Sequence, residues 1–277
     1  MTGERMTGEL REPMARDVEA HLMQIATRFV DARRTATALT DYPGTPPVHL
    51  SDAYAVQDAA ISMSASAIIG WKVGRINPPI GAVDRLAGPI FDSVRAASSH
   101  QPIAMPVFAG GFAAAEAEFL LQIGTTPDPA KRRYSVAEAT ALIDAVHVGI
   151  EIASSPFGGI NDHGAGVTIS DFGNNNGLVI GPAIDGWRRS NLLDWPVELM
   201  INDTLIGAGI AATMLDGPFG AARFLFELMA ERGIALTAGQ WISSGAVTGV
   251  HPVAVGDQVV ARFDSRLTVA CTIKAEG

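Results

Sequence analysis

The hydrophobic pattern changes character along the chain. Apolar residues recur at Val18, Leu22, Ile25, Phe29 and Val30, the 3.6-residue period of an amphipathic helix over 16–39. The stretch YPGTPPV breaks that period, and Ser51 is the expected N-cap of a second helix reaching about residue 66. AIIGWKVG then reads as a buried strand with Lys72 inside it, and the Pro- and Gly-rich stretch 75–110 reads as a long loop. AAAEAEFLLQIG (113–124) alternates as a strand, Ser135 and Glu138 form a capping box for a helix to about Ala145, and HVGIEIAS (147–154) is the next strand. A Gly- and Asn-rich stretch leads into the short strand LVIG. Later, Asn202-Asp203 joins WPVELMI to TLIGAGI as a two-residue hairpin turn, Pro218 opens a helix that Gly233 closes, and WISSGAV, QVVARF and LTVACTI are strands, the last two meeting at Asp264-Ser265. Helices first and strands later predict an α+β fold without a parallel βαβ array. The expected organisation is one domain over 1–277, with a disordered tail over 1–15, N-terminal helices over 16–66 and a β-rich part over 67–277 that carries the site.

Composition narrows the partners. The chain has 277 residues, a formal charge of -9 and only 18% charged residues, so it buries ample apolar surface and lacks the basic excess that nucleic acid or an anionic membrane needs. A mean hydropathy of +0.22 argues for surface covered by further copies of the chain, a homo-oligomer. The single cysteine, Cys271, excludes an intramolecular disulfide and a thiolate metal cluster and fits a small core residue in a reducing cytoplasm. The polar N-terminus lacks the apolar run of a secretory signal, its doubled MTGE suggests an alternative start at Met6, and no run of about 18 apolar residues spans a membrane.

Candidate chemistry gathers on the strands. Glu116 and Glu118 share one strand face, which by themselves fit a solvated surface equally well, but Glu151 adds a third carboxylate on a strand otherwise suited to a core. Three carboxylates in one cleft suit a hard divalent cation, Mg²⁺ or Mn²⁺. Only Lys72, Lys131 and Lys274 among 20 basic residues are lysines, so Lys72 amid apolar neighbours either reaches water at a strand end or serves as a compact ammonium. Asp171 to Gly177 is either a plain turn or a set of amide donors for a ligand carboxylate. His147, His163 and His251 lack ligand-like spacing, and GVTGVHPVAVGD lacks the Lys-Ser/Thr of a phosphate loop.

SDAYAVQ, GWKVG, the Glu-x-Glu of AEAEFLLQIG, HVGIEIASS, a D-x-x-x-x-x-G stretch before LVIG, ELMINDTLIGAG and AGQWISSGAVTGVHPVAVGDQVVARF occur in this order. The combination resembles the 2-keto-4-pentenoate hydratase and 4-oxalocrotonate decarboxylase family of the fumarylacetoacetate hydrolase superfamily, over residues 16 to 274. The resemblance implies a mixed β-roll with N-terminal helices, a homo-oligomer, Mg²⁺ or Mn²⁺ on Glu116, Glu118 and Glu151, and an active-site lysine at Lys72. It implies a lyase acting on a 2-hydroxy-2,4-dienoate or 2-oxo-enoate in aromatic-compound degradation, with hydration to a 4-hydroxy-2-oxo acid preferred. Decarboxylation of a 4-oxalocrotonate-type substrate, hydrolysis of an acylpyruvate, and a non-catalytic partner of a sister subunit are the alternatives. Asn174 stands where the family has a catalytic serine, Arg85-Leu86-Ala87-Gly88 replaces a segment bearing an acid, and Arg75-Ile76-Asn77 replaces a Leu-Thr-Ser-like triplet. Asn174 is therefore the catalytic candidate beside Lys72. Asp171, Asn175 and Thr248 are the expected substrate contacts, and Arg75 is either a surface arginine or a clamp for a second substrate carboxylate.

Overall fold

The computed structural model describes residues 11–92, 94–96 and 103–277. Two helices come first, α1 (Arg11–Arg34) and α2 (Leu50–Met63), so the expected tail is helical from Arg11, while residues 1–10 and the suggested start at Met6 lie outside the described residues. Helix α2 begins one residue before Ser51: His49 occupies the N-cap and makes no side-chain cap bond, and Asp52 sits in the first turn, where an acid complements the helix dipole. No helix among the described residues is long and apolar enough to cross a membrane.

The expected loop over 75–110 is in large part sheet. Strand β1 (Ile68–Ile80) runs past GWKVG and turns back into β2 (Val83–Phe91), with β3 (Val94–Ala96) and β4 (Ile103–Val107) following. Prolines 78 and 79 hid this hairpin because they cannot donate to a ladder, and they fall in the break of register between Arg75↔Arg85 and Ile80↔Val83.

Strand β5 (Phe112–Ile123) is followed by a short α3 (Val136–Ala141) and β6 (Ile143–Ser155). The Ser135–Glu138 capping box is present, but the helix ends four residues early because Ile143 already enters the strand and is fully buried. The Gly- and Asn-rich stretch contains a helical turn, α4 (Ala165–Ser170), before β7 (Asn175–Ala183). Strands β8 (Val197–Ile201) and β9 (Thr204–Gly209) form the expected hairpin, with Asn202 and Asp203 both at positive φ. Helix α5 (Gly217–Arg232) ends on left-handed Gly233, and β10 (Trp241–Ser243), β11 (His251–Pro252), β12 (Gln258–Phe263) and β13 (Leu267–Ala275) complete the chain.

These strands form two mixed sheets. One has the order β2-β1-β10-β5-β6-β7-β3, with β11 on β5, and the other has the order β4-β13-β12-β8-β9. The main core lies between them: Phe119 of β5 meets Phe263 of β12 edge-on, with ring centroids 5.3 Å apart, and Cys271 is buried there as expected. The N-terminal helices cover a second cluster in which Ile25, Phe29 and Val56 pack against Phe157, Ile160 and Phe172. The α+β fold with N-terminal helices is what the pattern predicted, and the mixed sheets are what the resemblance implied.

Candidate metal centre and its cavity

Strand register brings the three glutamates together. Glu116 of β5 lies directly opposite Glu151 of β6, and Glu118, two residues on, shares the face of Glu116. Glu118 pairs with Gly149, where a side chain would strike Leu120, so no bulk competes for the space. One carboxylate oxygen of each glutamate lies within 4.8 Å of those of the other two, and all three residues are at most 5% exposed. Lys72 reaches the same point from β1, its Nζ 3.4 Å from Glu151 Oε1 and donating to Asn174 Oδ1 at 3.2 Å. The strand placement of Lys72, Glu116, Glu118 and Glu151 was legible in the hydrophobic pattern; their convergence was implied only by the resemblance, not by the spacing.

The surrounding groups fix this arrangement. Ser243 Oγ donates to Glu118 Oε2 at 2.5 Å, and the Gly245 N–H donates to the same oxygen at 2.9 Å. Asn175 Nδ2 donates to Glu151 Oε1 at 3.0 Å, and Asn174 Nδ2 donates to Asn161 Oδ1 at 3.1 Å. Ser243, Gly245 and Asn161 escaped the sequence reading. Only Ser243 carried a signal, a polar residue inside an apolar strand.

A turn in an unusual conformation delivers the two asparagines. Phe172, Gly173 and Asn174 have φ of 56°, 63° and 59°, a run of left-handed residues that costs energy for a phenylalanine. Gly88 of β2 admits the turn, because a Cβ there would lie 2.0 Å from the Phe172 carbonyl oxygen. Arg33 of α1 clamps it, donating to Asp171 from Nε at 2.5 Å and Nη2 at 3.0 Å and to Asn176 Oδ1 from Nη1 at 3.1 Å, with its guanidinium carbon 5.1 Å from the Phe172 ring centroid. Replacing Arg33 with methionine leaves Asp171 buried without its partner. The expected loss is about 3–5 kcal/mol of stability, read from the denaturant midpoint at constant slope; an unchanged midpoint contradicts the clamp.

The centre opens into a cavity of about 780 Å³ whose wall includes Lys72, Arg75, Glu116, Asn161, Asn174 and Gly245. Three expected substrate contacts are placed elsewhere. Asp171 is fully buried in the Arg33 ion pair, Asn175 holds Glu151, and Thr248 has its Oγ1 buried without a partner among the described residues; none is on the cavity wall. Each is thus corrected from substrate contact to support of the turn, support of a glutamate, and a loop residue beside the wall. His147, His163 and His251 stand apart from the glutamate cluster, as expected from their spacing.

The donor set fits a cation. Glu118 Oε1 is buried and has no hydrogen-bond partner among the described residues, and three buried carboxylates face a single ammonium. Burial pushes Glu116 up to about 7 from its ordinary 4.5; Lys72 opposes this and Glu151 adds to it. Burial, together with the charges of Glu151 and Glu116, holds Glu118 well above the same range. For Lys72, burial favours the neutral amine, but Glu151, Glu116 and Glu118 outweigh it and raise its pKa, so it is a cation. An all-oxygen donor set of this kind is what Mg²⁺ or Mn²⁺ takes.

These shifts have a sign. A carboxyl raised above its unfolded value contributes stability at low pH that is lost as pH rises from about 4.5 through 7, and a bound cation removes that loss. The expected result is a melting temperature that Mg²⁺ or Mn²⁺ raises more at pH 8 than at pH 6. Cation affinity weakens on acidification through pH 7, by up to about tenfold per pH unit for each proton displaced. A metal affinity flat across this range contradicts the assignment.

No protein-family model matches the chain. Over 92 residues it is 29% identical to 4-oxalocrotonate decarboxylase of Pseudomonas sp. (strain CF600), which is 31% of this chain and 35% of that protein. Over 85 residues it is 32% identical to 4-oxalocrotonate decarboxylase of Pseudomonas putida, 29% of this chain and 32% of that protein, so the match spans about a third of the curated relatives. In structure it superposes on 4-oxalocrotonate decarboxylase from Pseudomonas putida G7, complexed with magnesium and adipate, with TM-score 0.76 and 20% identity over 91% of this chain and 97% of that one. Fumarylpyruvate hydrolase from Pseudomonas aeruginosa, in complex with Mn²⁺ and pyruvate, gives TM-score 0.55 and 14% identity over 77% and 94%. A putative fumarylacetoacetate hydrolase family protein from Yersinia pestis CO92 gives 0.54 and 16% over 76% and 94%. The chain has the fold shared by these solved structures, and its sequence resemblance, over about a third of their length, is to the 4-oxalocrotonate decarboxylases.

Proposed function

We propose that the chain is a divalent-metal-dependent lyase that adds water to a short 2-hydroxy-2,4-dienoate, giving a 4-hydroxy-2-oxo acid. The observation that carries this reading is the meeting of three buried glutamates and a buried ammonium beside one cavity, whose wall Lys72 and Glu116 join. Glu116, Glu118 and Glu151 would hold Mg²⁺ or Mn²⁺, which would supply Lewis-acid charge to the oxygens of a 2-oxo acid bound in the cavity. Lys72 Nζ faces the same oxygens and stabilises the negative charge that builds there when the dienol loses its O–H proton and gains one at C5. Water then adds at C4 of the resulting 2-oxo-3-enoate and a proton adds at C3, so the balance is one water gained. Asn174 carries no titratable proton; it orients Lys72 through its Oδ1. Glu116, on the cavity wall, meets the substrate side of the centre.

The names of the curated relatives favour a second reading, loss of CO₂ from a 2-oxo-3-enedioate. There the C5–C6 bond breaks and its electron pair reaches the same 2-oxygen, so Lys72 does the same work. Chelator-stripped protein, given 2-hydroxypenta-2,4-dienoate and then Mg²⁺, tests the first reading by loss of the dienoate's ultraviolet absorbance and by NMR of the product. Metal-dependent formation of 4-hydroxy-2-oxopentanoate is expected. CO₂ from 2-oxohex-3-enedioate without water addition selects the second reading, and no turnover of either compound removes both.

A further inference from the structure

Resting on that reading of the metal centre, we infer that Arg75 forms an anion subsite for a second carboxylate of the substrate, and that this carboxylate is retained through the reaction. The charged residues of the cavity wall are Lys72, Arg75, Arg85 and Glu116, so beyond the metal centre the charge lining the cavity is positive. Arg75 lies three residues beyond Lys72 on β1, about 10 Å along the strand at the usual rise, so alternation puts its side chain on the opposite face of the strand from Lys72, and it borders the cavity from that face. Apolar side chains, among them Leu86, Met214 and Val247, line the same cavity and suit a hydrocarbon chain joining two anionic ends.

Arg75 and Arg85 are direct cross-strand partners, an arrangement that repels unless charge is supplied. Arg85 is already engaged: it is buried, donates to Asp84 Oδ1 at 3.1 Å, and pairs with Asp216 at the N-cap of α5. Arg75 is exposed to the cavity and makes no ion pair or side-chain hydrogen bond among the described residues. Its planar fork, beside a neutralised neighbour, is the group a carboxylate would meet, and it accepts one bidentately.

The retention follows from charge. A carboxylate leaving as CO₂ gives up its negative charge on the way to the transition state, so a guanidinium gripping it stabilises the bound substrate more than the transition state and slows the loss. The same grip on a carboxylate that stays is kept throughout, and helps binding at no cost to the barrier. The Arg75 subsite therefore suits hydration of a dienedioate and opposes decarboxylation at that end.

Binding of 2-oxohexanedioate and 2-oxohexanoate to the Mg²⁺-loaded protein, followed by calorimetry, tests the subsite without turnover, because the two probes differ only in the distal carboxylate. The dianion is expected to bind roughly tenfold tighter, with the advantage lost in Arg75→Met and partly kept in Arg75→Lys. Equal affinities in the wild type, no binding of either, or an Arg75→Met change that weakens both probes alike overturns the subsite. Tighter binding of the dianion alongside no turnover of any dienoate leaves the subsite standing and removes the lyase reading instead. With 2-oxohex-3-enedioate, CO₂ release that is faster in the wild type than in Arg75→Met overturns the retention.

Discussion

Exchanging Lys72 for methionine lowers turnover by about 10²- to 10⁴-fold, the range expected when a positioned charge or proton donor is removed from a reacting oxygen. Methionine nearly preserves the volume of a side chain that is 4% exposed and packs against the left-handed turn, where a Cβ on Gly173 would lie 3.1 Å from Lys72 Cδ. The fold therefore tolerates the change while the charge disappears. Metal binding moves in the opposite direction: Lys72 repels a cation that shares Glu151 with it, so the variant binds Mg²⁺ or Mn²⁺ at least as tightly as the wild type. Lys72→Arg does not restore activity, since the larger guanidinium does not fit where Asn174, Gly173 and Glu151 enclose a slender amine. Steady-state kinetics beside a cation titration read both effects. Unchanged turnover contradicts the role given to Lys72.

Glu118→Gln produces two opposed effects. Glu118 is fully buried, with one oxygen held by Ser243 and Gly245 and the other unpartnered. An amide of the same shape removes one of three clustered negative charges. Affinity for Mg²⁺ or Mn²⁺ falls by more than the roughly 10- to 100-fold typical of losing a group that merely supports a metal ligand. The metal-free protein becomes more stable near pH 8, because burial and two neighbouring carboxylates no longer have a charge at 118 to oppose. A higher melting temperature without metal and a smaller gain with it form a pattern that general misfolding does not produce. A lower melting temperature without metal, with unchanged metal affinity, contradicts the account.

Alternation was enough to put Glu116, Glu118 and Glu151 on strands, because a strand buried on both faces has no ordinary place for a carboxylate. Alternation says nothing about which strands pair, and it is the Glu116↔Glu151 register and the parallel pairing of Lys72 with Ser243 that assemble the centre. The hairpin of β1 and β2 was hidden by its prolines, and α4 by glycines that read as loop. Arg33 stands near the end of an amphipathic helix, and nothing in its local sequence marks it. Its function depends on Asp171, 138 residues away in the chain, a pairing no local pattern carries. Asn174 was singled out as a substitution for a serine; its place against Lys72 follows from three positive φ angles that Phe172, at least, gives no reason to expect.

The central claim is that Glu116, Glu118 and Glu151 hold one divalent cation facing a 2-oxo acid in the cavity beside Lys72. Anomalous diffraction from crystals grown with Mn²⁺ and oxalate tests it most directly. The account predicts a single strong peak in direct contact with an oxygen of each glutamate, with oxalate chelating the ion from the cavity side within hydrogen-bond reach of Lys72 Nζ. No peak at the three glutamates, or an ion bound elsewhere with oxalate, would contradict it.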